Sequence, residues 1–283
     1  MAKARKRAAK DEPSRKRSGV GRAHEAVDLH RLYEASVQDA PSEVDIIQRF
    51  LRRAGRPARR LREDFSGTAL VSAEWVRRGA DRTATAVDLD PGVHAWAREH
   101  RLPELGAAAR RLKLVTADVR RPNGRDFDAI VALNYSYWVF KTREAMRAYL
   151  AAARRALAPG GVLVLDVQGG WESQQEIVES RRVNKGVRYF WEHEKFDPIT
   201  HHLRAAIHFE VPGRPRLRRV FHYDWRLWTL PELTELCEEA GLVDVGVYWD
   251  VAPVDDTRYV LRRHAENQPG WIAYLVAHRP RRD

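Results

Sequence analysis

The sequence predicts an α/β domain built on an open, mostly parallel sheet whose last strand is antiparallel, with an antiparallel β insertion after the fifth strand. From residue 60 onward, short β-branched runs alternate with helical segments, which is typical of βαβ units with right-handed crossovers. After Gly170, three strand-like stretches follow one another with only Pro-containing turns between them. The 283 residues, 44% of them hydrophobic, suffice for one domain with a sizeable core.

The predicted elements follow the chain in this order. Strands of the main sheet are expected at residues 58–65, 82–90, 112–119, 127–134, 161–168, 243–250 and 270–278. Helices are expected at 25–39, 42–54, 69–79, 91–100, 141–161 and 230–240. The helix before the fifth strand should end at Pro159-Gly160-Gly161, and Thr229 with Glu232 has the spacing of a capping box. The insertion, at about 184–228, has strand-like stretches at 186–197, 199–211 and 216–228.

Basic residues are concentrated at the N-terminus. Residues 1–22 hold nine Lys and Arg residues and only two acidic residues, in a chain of net charge +11. This segment has almost no large apolar side chains to bury, so residues 1–24 are predicted to be a disordered basic tail and residues 25–283 the folded domain. The tail is either a weak electrostatic tether to a polyanion such as RNA or DNA, or a solubilising extension.

Several other classes of protein are disfavoured. No apolar run approaches the roughly 20 residues that cross a bilayer, and the N-terminus lacks the apolar region of a secretory signal. Cys237, the single cysteine, excludes an internal disulfide, and the His201-His202 pair has no third ligand at a recognisable spacing. We therefore expect a cytoplasmic protein without a metal site or a membrane partner; the sequence leaves the oligomeric state open.

Polar residues follow the first three strands in the order that a nucleotide-like cofactor requires. Such ligands bind at the carboxyl ends of parallel strands, where a tight loop follows the first strand and an acidic side chain ends the second. Here the loop is Glu63-Asp64-Phe65-Ser66-Gly67-Thr68, and Asp88 follows 24 residues after Asp64. Asp88 could accept hydrogen bonds from a ribose diol, and Asp118, at the end of the third strand, could reach a base amine.

These segments resemble the class I S-adenosylmethionine-dependent methyltransferases over about residues 42–279. The matching stretches are EDFSGTA, AVDLDP, TADV, FDAIVALN, LAPGGVLVLD and LWTLPELTELCEEAGLVDVGVYW. The first is also similar to a bacterial subset whose first motif reads E-D-F-[CS]-G-T. The resemblance implies a Rossmann-like class I methyltransferase sheet, with S-adenosyl-L-methionine as cofactor.

The same resemblance assigns roles to individual residues. Asp88 would hold the ribose hydroxyls, Asp118 the adenine amine, and Gly67 with Thr68 the methionine end, while Tyr33 and Gln38 would cover the cofactor. The other expected cofactor-binding residues are Glu63, Asp64, Ser66, Leu89, Val119 and Asn134. Phe65 and Ala69 stand where the family usually has glycine. Because phenylalanine adopts a positive φ only at a cost, we expect the loop backbone to differ from the common form.

The methyl acceptor should lie beyond the fourth and fifth strands, beneath the insertion. Methyl transfer from a sulfonium is an in-line displacement, for which the protein mainly supplies position and a dry pocket. His193, Asp224 and Tyr135 are the predicted catalytic residues, with His193 a candidate base. Tyr137, Trp191 and Arg226 are the predicted substrate contacts, although packing between helix and sheet is the alternative role for the aromatic residues.

Four functions remain in view. The compact insertion and the lack of a recognised nucleic-acid module favour a methyltransferase acting on a small molecule. An RNA or protein methyltransferase that uses the basic tail is the second hypothesis, and a non-catalytic binding protein with a degenerate first motif is the third. A nicotinamide dehydrogenase is disfavoured, because the G-x-G-x-x-G motif is missing.

Overall fold

The computed structural model describes residues 27–183, 186–251 and 259–281. The predicted basic tail, residues 1–24, lies outside these residues. The elements in chain order are α1 (Leu29–Val37), α2 (Ala40–Arg53), β1 (Arg60–Asp64), α3 (Leu70–Arg77), β2 (Thr83–Asp88), α4 (Pro91–Trp96), α5 (Leu102–Leu105), β3 (Leu112–Thr116), β4 (Phe127–Ala132), α6 (Arg143–Ala156), β5 (Leu157–Gly169), β6 (Val178–Arg182), β7 (Arg188–Phe196), β8 (His202–Glu210), β9 (Leu217–Arg226), α7 (Leu230–Glu239), β10 (Val243–Asp250), β11 (Tyr259–Arg262) and β12 (Trp271–His278).

The main sheet has eight strands in the order β11-β10-β12-β5-β4-β1-β2-β3. The pairs among β1 to β5 are parallel, and β12 runs antiparallel to both β5 and β10. Apolar residues of α6 and α7 form one core cluster with this sheet, and residues of α2 and α3 form another. The sheet is therefore sandwiched between two layers of helices, which confirms the predicted α/β class with an antiparallel last strand.

The insertion forms a separate antiparallel sheet in the order β6-β7-β8-β9. Three of these strands coincide with the predicted stretches. The fourth, β6, was not predicted, because all five of its residues are exposed and its sequence, VESRR, has no alternation of apolar and polar residues. Strand β11, which pairs with β10 at the edge of the main sheet, was also not predicted.

Two predicted helices end earlier than expected. The helix before β5 ends at Ala156 instead of residue 161, and Pro159-Gly160-Gly161 lies within β5. The backbone N–H of Gly160 donates a hydrogen bond of 2.9 Å to the carbonyl of Arg279, which gives this part of the strand a main-chain partner. The predicted helix over 91–100 changes from α4 into a π-helical turn at residues 97–101.

Candidate functional site

The loop after β1 has three left-handed residues in alternation. Phe65, Gly67 and Ala69 have φ values of 57°, 51° and 58°. Phe65, whose side chain makes a positive φ costly, nevertheless adopts the left-handed conformation. This costs roughly 1–2 kcal/mol for a non-glycine residue, and packing of the Phe65 ring against Phe140 and Tyr149, with centroids 5.8 Å apart in each pair, offsets it.

Asp88 joins this loop to the end of β2. Its Oδ2 accepts a hydrogen bond of 2.8 Å from the backbone N–H of Gly67, and its Oδ1 accepts one of 2.9 Å from Asp90. A Cβ placed on Gly67 would meet no atom within 4 Å, so the backbone faces open space beside the carboxylate. Leu89, the next residue, is 72% exposed. A carboxylate, an open backbone and an exposed apolar side chain are the groups that fit a ribose with its attached base.

Asp118 and Val119, the other residues predicted to contact a base, have partners within the protein. The carboxylate of Asp118 accepts hydrogen bonds from the Arg120 guanidinium, the shortest being 2.6 Å, and from the Arg120 backbone. These bonds hold the pKa of Asp118 below its usual value. Val119 is buried, and its carbonyl accepts a hydrogen bond of 2.6 Å from Arg62.

Glu63 and Asp64 support the loop from inside the sheet. Glu63 accepts a hydrogen bond of 2.8 Å from the backbone N–H of Ser72, and burial raises its pKa to about 7. Asp64 forms a buried ion pair of 2.6 Å with Arg62 and accepts a hydrogen bond from Tyr149. Neither carboxylate lines the two cavities described next, so the predicted direct contacts with a cofactor are not seen for these two residues.

A cavity of about 190 Å³, here called the loop cavity, lies against this loop. Helix α1 covers it and is fixed to the loop by Glu34, which accepts a hydrogen bond of 2.5 Å from Thr68 and forms an ion pair with Arg101. The predicted residues Tyr33, Gln38, Ser66, Gly67, Thr68 and Asn134 all line it, together with His30, Phe65, Val93, Ser136, Phe221 and Tyr223.

A larger cavity of about 410 Å³, here called the aromatic cavity, lies between the second sheet, α1 and the ends of β4 and β5. Six of its lining residues are aromatic: Tyr33, Tyr135, Tyr189, Trp191, Tyr223 and Trp225. The others are Val37, Asn134, Gln168, Glu179, Ser180, Arg181 and Ile207. Tyr33, Asn134 and Tyr223 line both cavities, so the two spaces meet at these three junction residues.

Of the residues predicted to act in catalysis or to contact the substrate, two line the aromatic cavity, and two that lie on β9 do not. Tyr135 and Trp191 line it as expected. Asp224 instead forms an exposed ion pair of 2.5 Å with Lys141, and Arg226 forms a part-buried ion pair of 2.7 Å with Glu232. Strand alternation places both on the face of β9 opposite Tyr223 and Trp225. The predicted alternation is seen in β9, and its aromatic face, not its polar face, lines this cavity.

His193 and Tyr137 are also held in structural contacts. Nε2 of His193 accepts a hydrogen bond of 2.9 Å from the indole N–H of Trp191, and burial lowers the pKa of the imidazole. His193 does not line the aromatic cavity but lines an adjoining cavity that shares Gln168, Glu179 and Trp191 with it. Tyr137 is fully buried and donates a hydrogen bond of 2.8 Å to the carbonyl of Asp166.

Asp166 is a site residue that the sequence reasoning missed. Its two carboxylate oxygens accept hydrogen bonds from the backbone N–H groups of Asn134 (2.6 Å) and Tyr135 (3.0 Å). Both of these residues are left-handed, with φ values of 56° and 57°, and burial raises the pKa of Asp166 to about 7. The available signal was a single acidic residue inside the apolar strand VLVLDV.

Comparison with known proteins bears on the class of this site. Residues 65–165 match the family model described as "Methyltransferase domain". No curated protein is similar enough in sequence to count as a match. Of the solved structures, an S-adenosylmethionine-dependent methyltransferase from Clostridium acetobutylicum superimposes with a TM-score of 0.68 at 15% identity, covering 89% of this chain and 98% of that one.

Two further solved structures share the fold at similar levels. CalS10, an amino pentose methyltransferase from Micromonospora echinaspora, has a TM-score of 0.66 at 22% identity, covering 90% of this chain and 99% of that one. The sugar N-methyltransferase KedS8 from a Streptoalloteichus species has a TM-score of 0.64 at 19% identity, covering 95% and 100%. Residues 65–165 therefore match a methyltransferase domain, and the chain shares the fold of these methyltransferases. In the described part of the chain, no helix is long and apolar enough to cross a membrane.

Proposed function

We propose that the protein transfers the methyl group of S-adenosylmethionine to a small molecule held in the aromatic cavity. The observation that carries this proposal is that the loop cavity and the aromatic cavity meet at Tyr33, Asn134 and Tyr223. In-line displacement requires the acceptor atom, the methyl carbon and the sulfur on one line. Because the two cavities meet, one can hold the cofactor and the other the acceptor with these three atoms in line.

The cofactor would lie along the loop after β1. Asp88 would accept hydrogen bonds from the ribose hydroxyls, the open backbone at Gly67 would face the methionine end, and Leu89 would pack on the base. When bound, the cofactor supplies an activated methyl group. The chain's own contribution is to orient both ligands and, through the aromatic side chains, to exclude water from the junction.

The dimensions of the aromatic cavity support a small acceptor. Its volume of about 410 Å³ lies within the range of roughly 300–1,000 Å³ that is usual for small-molecule sites. Two of the similar structures are named as an amino pentose methyltransferase and a sugar N-methyltransferase, which supports the same class of acceptor. The alternative acceptors, RNA or protein, depend on the basic tail.

The test is to locate the transferred methyl group. Full-length protein and a variant without residues 1–22 are incubated with radiolabelled S-adenosylmethionine and with separate small-molecule, RNA and protein fractions of a cell extract. We expect label in the small-molecule fraction with both proteins, and much less label with Asp88→Ala at the same cofactor concentration. Label in RNA or protein that disappears on removal of the tail would instead establish the second hypothesis.

A further inference from the structure

We propose that the acceptor atom is an amine nitrogen and that the aromatic cavity binds the cationic, methylated product. This inference rests on the proposed function and adds the chemical class of the acceptor. It depends on two independent observations: which groups line the junction, and how the aromatic rings of the second sheet are arranged.

Among the residues that the structure describes, the junction offers no group suited to removing a proton. Its three residues present two phenols and one amide, and burial raises the pKa of Tyr33 to about 12 and that of Tyr223 well above its ordinary value. Behind the junction, both oxygens of Asp166 accept backbone hydrogen bonds. His30 lines the loop cavity but not the aromatic cavity, and the only carboxylate on the described lining of the aromatic cavity is Glu179.

An amine that has given its ammonium proton to solvent before the attack needs no base in the protein. Its lone pair forms the new N–C bond while the C–S bond breaks and its electrons pass to sulfur. The positive charge of the sulfonium thereby moves to nitrogen, and solvent can remove a proton after transfer. A hydroxyl acceptor, in contrast, must lose its proton to a positioned base during attack.

The inner face of the second sheet can stabilise that positive charge. Trp191, Tyr223 and Trp225 form a continuous wall, with ring centroids 5.4 Å apart for Trp191 and Tyr223, 4.3 Å for Tyr223 and Trp225, and 6.1 Å for Trp191 and Trp225. Cations are attracted to such ring faces when they lie within about 6 Å of the centroid. An aromatic wall on the acceptor side of the junction therefore favours a cationic nitrogen over a neutral group of equal size.

The two charged side chains of β6 that line the cavity also favour a cation beside these aromatic rings. Glu179 lies directly opposite Trp191 in the register of β6 and β7, so the two side chains share a face. Arg181 lies opposite Tyr189, packs 5.2 Å from its ring and donates a hydrogen bond to the carbonyl of Ser36 in α1. Arg181, the cationic residue in the described lining of the cavity, is thus held at the α1 side, and the Glu179 carboxylate lies beside Trp191.

The experiment compares two ligands that differ in charge and match in shape. Protein saturated with S-adenosylhomocysteine is titrated calorimetrically with choline and with its neutral isostere 3,3-dimethyl-1-butanol. We expect choline to bind at least about tenfold more tightly, which corresponds to a cation–π contribution of about 1.4 kcal/mol. Trp191→Leu should abolish the preference, and Trp171→Leu, at an exposed tryptophan outside the cavity, should keep it.

The outcomes separate the two proposals. Equal affinity for the two ligands, no measurable binding of either, or a preference that persists in Trp191→Leu would overturn the amine inference while leaving the proposed function standing. Failure of S-adenosylhomocysteine itself to bind would overturn both. Glu179→Gln, an exposed position that carries little risk to folding, provides a second variant and should reduce the preference severalfold.

Discussion

Oδ2 of Asp166 lies 2.6 Å from the backbone nitrogen of Asn134, and this hydrogen bond joins β5 to the loop that follows β4. Asn134 is left-handed and lies at the junction of the two cavities. Strained backbone persists only where its surroundings impose it. Asp166 is therefore a positioning residue, which acts on the site through the backbone of Asn134 and Tyr135.

Substitution Asp166→Asn should lower the rate of methyl transfer into the labelled small-molecule fraction by about tenfold or more. The amide oxygen can replace only part of the carboxylate's hydrogen bonding, and small displacements of positioned groups are costly in rate. Asp128→Asn is the matched control, because Asp128 is also buried and accepts backbone hydrogen bonds from Arg59 and Arg60 at the opposite end of the sheet. Equal loss of rate in the two variants would argue against a positioning role for Asp166.

Replacing Asp88 by alanine should weaken binding of S-adenosylmethionine by roughly 10- to 100-fold, since hydrogen bonds to a charged group contribute about 1.5–3 kcal/mol. Isothermal titration of the purified protein measures this directly. Asp90→Ala provides the comparison, because the Asp90 side chain caps α4 instead of contacting the loop. Wild-type affinity in Asp88→Ala would mean that the ribose is held elsewhere.

Substitution Phe65→Gly should destabilise the fold by about 2 kcal/mol more than Ala69→Gly. Both changes relieve a left-handed non-glycine residue, worth roughly 1–2 kcal/mol. Only the first removes a ring packed on Phe140 and Tyr149, and because this ring is half-buried its loss should cost less than the roughly 3–5 kcal/mol of a fully buried ring. Urea denaturation of the two variants gives the comparison. A Phe65→Gly protein as stable as Ala69→Gly would show that the ring does not offset the strain.

Glu63 should make the protein less stable as the pH rises from about 4.5 to about 7. Burial raises its folded-state pKa from 4.5 to about 7, so the native state binds more protons than the unfolded state within that window. The stabilisation is complete below the unfolded pKa and is lost as the pH passes the folded one. Glu63→Gln should flatten the pH dependence of the unfolding free energy, whereas Glu99→Gln, at an exposed position, should leave it unchanged.

The sequence best predicted those features of the site that follow from the order of the strands along the chain. The succession of β1, β2 and β3 with Gly67, Asp88 and Asp118 at their ends could be predicted, because parallel strands bring their carboxyl ends to one edge of a sheet. Strand alternation in β9 could also be predicted. Which face of β9 points to the cavity depends on how the second sheet docks on α1, and the pattern within the strand does not contain that information.

Other features depend on contacts between distant parts of the chain. The left-handed conformation of Phe65 is offset by Phe140 and Tyr149, which lie more than 70 residues away. From the sequence, Asp166 cannot be distinguished from the other residues of its buried strand. Its partners, the backbone N–H groups of Asn134 and Tyr135, become apparent only in the structure. Strand β6 has no apolar pattern of its own and forms because β7 offers an edge.

In the proposed arrangement, the three residues shared by the two cavities link cofactor binding and acceptor binding thermodynamically. Any displacement of Tyr33, Asn134 or Tyr223 that one ligand causes alters the surface that the other ligand meets. Such coupling is reciprocal, so the cofactor must change acceptor affinity by the same factor as the acceptor changes cofactor affinity.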